Sequence, residues 1–293
     1  MTDWLLLIEV SLAGIGSGGL YAITGLAFVL IYKATKVVNL AIGEILMLGA
    51  YVFFGFSAGL ALPFWLAALG TVVVAGLLGA GIERTMIRPM LGESPIAVFM
   101  LTIGLGSILT GTVELIWGAN PLRLPEYLPN QPLFLGDAYV SSKVATAFAI
   151  ASVVVLIFLA LFRFWRGGVA LRATASDQAA AYSMGINVPK VFSLSWIIAC
   201  VTAGVAGMLV GAIGGISPTM GVFGLSVLVV VIVGGLDSVL GALVAGLFIG
   251  LLEALAGAYL GGEYKTLATF VLLVVVLMVR PYGLFGTHEI ERL

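Results

Sequence analysis

The chain has 293 residues, 61% of them hydrophobic and 9% charged, with a formal net charge of −1. A soluble domain carries roughly 25% charged residues, so too few polar groups exist here to cover a water-facing surface, and lipid must solvate most of the molecule. The near-neutral balance argues against a nucleic-acid partner; a single cysteine (Cys200) allows no disulfide framework within one chain and no Cys-based metal site, and with a single histidine (His288) zinc chemistry and Ser-His or Cys-His catalysis are poorly supplied.

The N-terminal Met-Thr-Asp-Trp lacks the basic region of a secretory signal, and the apolar run behind it is too long for one. It reads as a retained first span. A helix needs about 20 apolar residues to cross a bilayer core of roughly 30 Å. Nine candidates follow in order, at 4–31, 40–60, 61–82, 94–118, 144–162, 191–216, 221–235, 238–260 and 266–279. The expected fold is therefore an all-α polytopic membrane protein of about nine segments (8–10), one transmembrane domain over 1–293. The seventh and ninth candidates reach only about 21–23 Å at 1.5 Å per residue. With the N-terminus outside and the C-terminus cytoplasmic, the inner connections hold Lys33, Lys36, Arg84, Arg88, Arg163, Arg166, Arg172, Lys190, Arg280 and Arg292. The outer ones hold Arg123, Lys143 and Lys265, and this bias sets the orientation.

Small residues recur at every fourth position in several spans. They are Gly14, Gly18 and Ala22 in the first; Ala199, Ala203, Gly207, Gly211 and Gly215 in the sixth; and Gly234, Ser238, Ala242, Gly246, Gly250, Ala254 and Ala258 from the seventh into the eighth. Lipid tails are as apolar as leucine, so helices in lipid associate where small residues let backbones approach. Gly207, Gly211, Gly246 and Gly250 are thus expected to be packing positions. A weak internal echo joins the second segment (Asn39, Gly43, Glu44, Gly49) to the seventh (Gly221, Gly224, Gly234, Gly235). Paired glycine-broken segments often mark a transport site, because an unwound turn frees backbone groups for a solute.

Charges at membrane depth are few. Glu9 and Glu114 fall near outer span ends, and Glu253 lies about two-thirds of the way across the eighth segment, where an interhelical hydrogen bond is expected. Glu44 falls about one turn into the second. An ionisable group inside a span costs several kcal/mol unless it meets a cavity or partner. Glu44 is then either a pathway residue or a carboxylate held by the dipole of a helix N-terminus. No phosphate-binding G-x-x-x-x-G-K-[ST] loop, proton-relay ladder or TVGYG-type filter occurs.

Two connections stand out. The outer one, 119–143, has Pro121, Pro125, Pro129 and Pro132 and ends in a turn-like Leu-Gly-Asp, so it reads as an ordered loop or short cap. The inner one, 163–190, carries four of the thirteen Lys and Arg residues. Asp177 or Ser176 can cap a short helix over 178–184, Gly185 suits the left-handed position after it, and Pro189 prevents continuation. Such a helix is either a solvated connector or a handle for a cytoplasmic partner.

Three stretches resemble the permease subunits of ATP-binding-cassette importers of the branched-chain amino acid type. They are KVVNLAIGEILMLGAYV at 36–52, GVALRATASDQAAAYSMGINVPKV at 168–191, and IVGGLDSVLGALVAGLFIG at 232–250 with RPYGLFG at 280–286. The stretch at 168–191 is similar to the family's coupling loop. Ala179-Ala180-Ala181 and Gly185 keep the spacing of its Glu-Ala-Ala…Gly motif but lack the Glu, so Asp177 is the nearest acid. The resemblance implies an importer permease for branched-chain or other small neutral amino acids. A urea or short-amide permease remains a same-class alternative, and an ATPase-independent channel or carrier another. It implies two cytoplasmic ATPases gripping the loop through Arg172, Asp177, Ala180, Ala181, Gly185 and Asn187. It also implies a second related permease, expected to form a heterodimer, and a substrate-binding protein. Asn39, Gly43, Glu44, Gly49, Gly224, Gly234 and Gly235 would line the pathway. No catalytic residue, metal or cofactor is expected in this chain, ATP and Mg belonging to the partner subunits.

Overall fold

The computed structural model describes residues 2–287, so His288 and Arg292 lie outside the described residues. Helices α1 (Thr2–Thr35), α2 (Ile42–Phe54), α3 (Phe64–Ile82), α4 (Pro95–Trp117) and α5 (Ser142–Phe164) are followed by the short α6 (Arg166–Ser176) and α7 (Gln178–Ser183). The chain continues through α8 (Val188–Gly214), α9 (Phe223–Gly234), α10 (Val239–Tyr259) and α11 (Tyr264–Val279). Seven of the described helices are long and apolar enough to cross a membrane; Pro218–Gly234 and Tyr264–Val279 are shorter apolar helices. These two occupy the seventh and ninth expected segments.

α1 is the hub. It is hydrophobic on all sides and buried from Gly18 to Ile31, as a helix surrounded by others must be. Glycine sets its distance from α10. A Cβ on Gly250 would stand 2.4 Å from Gly18 Cα, and one on Gly246 would stand 2.7 Å from the Ala22 nitrogen. The sixth-span stripe packs α8 in the same way. A Cβ on Gly207 would meet the Leu46 carbonyl of α2, and Gly211 lies against Ile216, Leu124 and Ala50. Glu253 joins three helices. Its carboxylate accepts from Tyr21 Oη of α1 at 2.6 Å and from Thr269 Oγ1 of α11 at 2.7 Å.

One end of the bundle holds a β-hairpin, β1 (Pro132–Leu135) and β2 (Ala138–Ser141). The all-α expectation therefore needs correction here. The two-residue turn Gly136-Asp137, with Gly136 at φ +68°, is the form that matches strand twist. Glu9 accepts from the Tyr139 backbone N–H at 2.7 Å, and Leu122 pairs with Ile216 through reciprocal backbone bonds. The other end carries most of the described basic residues. There Arg88 pairs with the fully buried Glu83 at 2.9 Å, and Ser193 of α8 donates to Glu83 at 2.6 Å. The 280–286 stretch folds onto the α9–α10 turn, where Leu284 N–H and Phe285 N–H donate to the carbonyls of Val233 and Gly234. Gly235 at φ +107° and Gly283 at φ +79° allow that contact. The two pieces of the third matched stretch thus form one structural unit.

Candidate functional site

α2 does not begin at the bundle end. After α1, Lys36 takes a left-handed φ of +57° and residues 36–41 run as non-helical backbone. Thr102 of α4 holds this run. The Leu40 N–H donates to Thr102 Oγ1 at 3.3 Å, and the Thr102 hydroxyl reaches the Phe99 carbonyl at 2.8 Å. The fully buried Asn39 accepts the Ala41 N–H on Oδ1 at 3.0 Å, ordering the helix start, while its Nδ2 has no partner.

Glu44 then lies beside Gly106, the twelfth of the 23 residues of α4 and so the midpoint of a crossing helix. Glu44 stands in the first turn of α2, as the sequence leads one to expect; what the sequence does not show is that the non-helical entry at 36–41 sets this first turn opposite the middle of α4. Two glycines make room for this carboxylate. A Cβ at Gly106 would stand 3.2 Å from Glu44 Cδ, and one at Gly221 would stand 3.0 Å from Oε1. Glu44 Oε2 is buried without a hydrogen-bond partner. It borders a cleft of about 470 Å³ lined by Leu40, Thr102, Ser107, Thr110, Glu114 and Leu225, among others.

The two glycine-broken segments meet here. A Cβ on Gly43 would sit 2.1 Å from the Gly221 carbonyl and 2.8 Å from Gly224 Cα. The starts of α2 and α9 therefore touch backbone to backbone next to Glu44. The remaining pathway candidates sit elsewhere. Gly49 packs on Gly204 of α8, Gly234 on Gly241 of α10, and Gly235 on Gly286. Their small size serves close packing and turn geometry. Sequence reasoning passed over Thr102, Gly106 and Thr110, although their i, i+4, i+8 spacing inside an apolar run marks one helix face.

The short helix forms as its local signals require. Asp177 caps α7 by accepting the Ala180 N–H at 2.9 Å, which decides between it and Ser176. Gly185, at φ +83°, donates to the Tyr182 carbonyl while Ile186 N–H reaches Ala181, closing the helix end with a paired motif. Asn187 caps α8 by accepting from the Lys190 N–H, so Pro189 sits in the first turn of the next helix, where its missing N–H costs nothing. Arg172 turns back to the end of α5, donating to the Phe162 carbonyl and stacking on its ring. Asp177, Ala180, Gly185 and Asn187 are exposed; Ala181 is buried. Tyr182 and Met184, which the sequence pattern did not single out, project at 71% and 84% exposure. Gln178 contacts the Ala34 carbonyl at the end of α1 at 3.4 Å.

A family model described as branched-chain amino acid transport system / permease component matches residues 11–278. The chain belongs to this family. It is 33% identical to the high-affinity branched-chain amino acid transport system permease protein LivH of Escherichia coli K12, over 99% of both chains. It is 26% identical to LivM, a permease protein bearing the same system name in that organism, over 90% of this chain and 67% of LivM. Its fold also resembles PsaBC from Streptococcus pneumoniae, solved with a Fab, at a TM-score of 0.53 and 14% identity, over 94% of this chain and 92% of that one. The family and the apolar helices make it a multi-pass inner-membrane permease. Among the described residues no three His, Cys, Asp or Glu side chains gather as a metal site.

Proposed function

We propose that this permease is one subunit of an ATP-driven importer for branched-chain and other small neutral amino acids, working by alternating access with nine membrane segments. One observation carries the reading: an exposed, doubly capped helix is physically continuous with the cleft. α7 touches the end of α1 through Gln178 and Ala34, and α1 leads through residues 36–41 to Asn39 and Glu44. A displacement of α7 by a docked ATPase would reach the cleft along that route, while Glu83, Arg88 and Ser193 tie the end of α3 to the start of α8. ATP and Mg would be held on two such subunits beneath the basic end, which the Lys and Arg bias puts in the cytoplasm. This chain would hold neither cofactor and contribute no catalytic residue.

A second related permease would close the cleft. Ser107 and Glu114 are exposed on α4 and line the cleft with Glu44, so the open side of the cleft lies on the face that a second permease would cover. LivH and LivM share one system name in one organism and both resemble this chain, which favours a heterodimer. A substrate-binding protein would dock on the hairpin end. The test is Gly185→Val in the reconstituted complex. A β-branched residue at φ +83° strains the helix end, so ATP hydrolysis should persist while uptake falls at least several-fold. Normal uptake per ATP would refute the coupling role.

A further inference from the structure

Resting on the importer reading above, we infer that Glu44 is the acceptor for the α-ammonium group of the transported amino acid. The cleft holds two carboxylates, Glu44 and Glu114; Glu114 is exposed three residues before the end of α4, and Glu44 is the one at the level of that helix's middle. Glu44 Oε2 is buried level with the middle of α4 and has no hydrogen-bond partner among the described residues. Gly106 and Gly221 leave the space that lets it stand there. The Thr102 hydroxyl is committed to backbone carbonyls and Ser107 to the Ile103 carbonyl, so neither donates to Glu44. A carboxylate at this depth is stabilised by a partner or a polar cavity, and an ammonium supplies both the opposite charge and the N–H groups that Oε2 lacks. The cleft, at about 470 Å³, has room for a small amino acid, with Leu40, Ile103 and Leu225 as its apolar wall. A fatty acid or an oxo-acid of the same shape would leave Glu44 unpaired and add a second negative charge. The residue would therefore separate amino acids from their desamino counterparts.

The same donor chemistry has a second source, a Lys or Arg side chain of the other permease, and the experiment separates the two. Binding of L-leucine and of 4-methylpentanoate, which lacks the ammonium, is measured on the complete transporter in lipid nanodiscs. The wild-type complex should bind leucine at least about 10-fold more tightly than 4-methylpentanoate. Glu44→Gln should weaken leucine by about 10- to 100-fold, the range for losing a hydrogen bond to a charged group, and leave 4-methylpentanoate no weaker. Glu44→Asp should restore part of the preference. Gly106→Ala keeps the charge but pushes the carboxylate by a few tenths of an ångström; it should lower leucine affinity alone, and serves if Glu44→Gln fails to assemble. Unchanged leucine preference in these variants would overturn the inference. So would an equal loss of both ligands with release of the second permease, which identifies a side-chain cation. A wild-type complex that binds no leucine would sink the importer reading itself, a different result from any variant's behaviour.

Discussion

Replacing Gly43 with alanine tests whether the two broken segments meet where the cleft is. The new Cβ would lie 2.1 Å from the Gly221 carbonyl, 2.7 Å from the Gly224 nitrogen and 2.8 Å from Gly224 Cα. Ordinary contact begins near 3.4 Å, so the tightest approach must open by 3.4 minus 2.1, or 1.3 Å. All three obstacles are backbone, so no side chain can swing away, and α2 and α9 must separate. A gap of up to 1 Å forfeits a quarter to a half of each dispersion contact along an interface, and overpacked sites cost about 1–3 kcal/mol. Thermal unfolding followed by tryptophan fluorescence in nanodiscs should therefore shift down for Gly43→Ala, and uptake in proteoliposomes should fall with it. Gly104→Ala is the control, because a Cβ there meets nothing within 4 Å. Unchanged unfolding and uptake in Gly43→Ala would refute the reasoning.

Glu253→Leu should destabilise the bundle by about 1–3 kcal/mol, since interhelical bonds in membranes average about 0.6 and reach about 1.7 kcal/mol and Tyr21 Oη loses its acceptor. Thr269→Val should cost about half as much, and a double-mutant cycle in unfolding should show the two effects to be non-additive. Gly283→Ala combines a left-handed φ of +79° with a Cβ 2.5 Å from the Ile232 carbonyl, about 1–2 kcal/mol of backbone cost plus overpacking. Limited proteolysis should then cut after Val279 faster than in the parent, with the cores of α1 and α10 still protected.

Local chemistry made α7 legible before any tertiary information. A cap acid, three alanines and a glycine specify a six-residue helix within themselves, because each signal acts over four residues or fewer. The stripes on α1, α8 and α10 were legible for a similar reason: only small residues permit those backbone distances. The hairpin went unread although Gly136-Asp137 is a recognised two-residue turn, because the surrounding prolines argued for irregular backbone. The tie at Glu253 was legible as a kind of bond, yet its partners were not. Tyr21 lies 232 residues away in sequence, and nothing in a single chain's pattern pairs such positions.

The depth of Glu44 was illegible for a stricter reason. Hydropathy sums along residues and takes no account of rise, so Val37, Val38 and Leu40 in a non-helical run score like the same residues in a helix. Helical backbone advances about 1.5 Å per residue and extended backbone about 3.3 Å. The six non-helical residues 36–41 therefore break the helix register, and Glu44, in the first turn of α2, comes to the level of Gly106. Glycine is ambiguous in the same way. Gly207 and Gly250 remove space so that helices touch, whereas Gly106 and Gly221 create space that a carboxylate fills. The residue type is identical, and only what stands opposite separates a packing seam from a binding cleft.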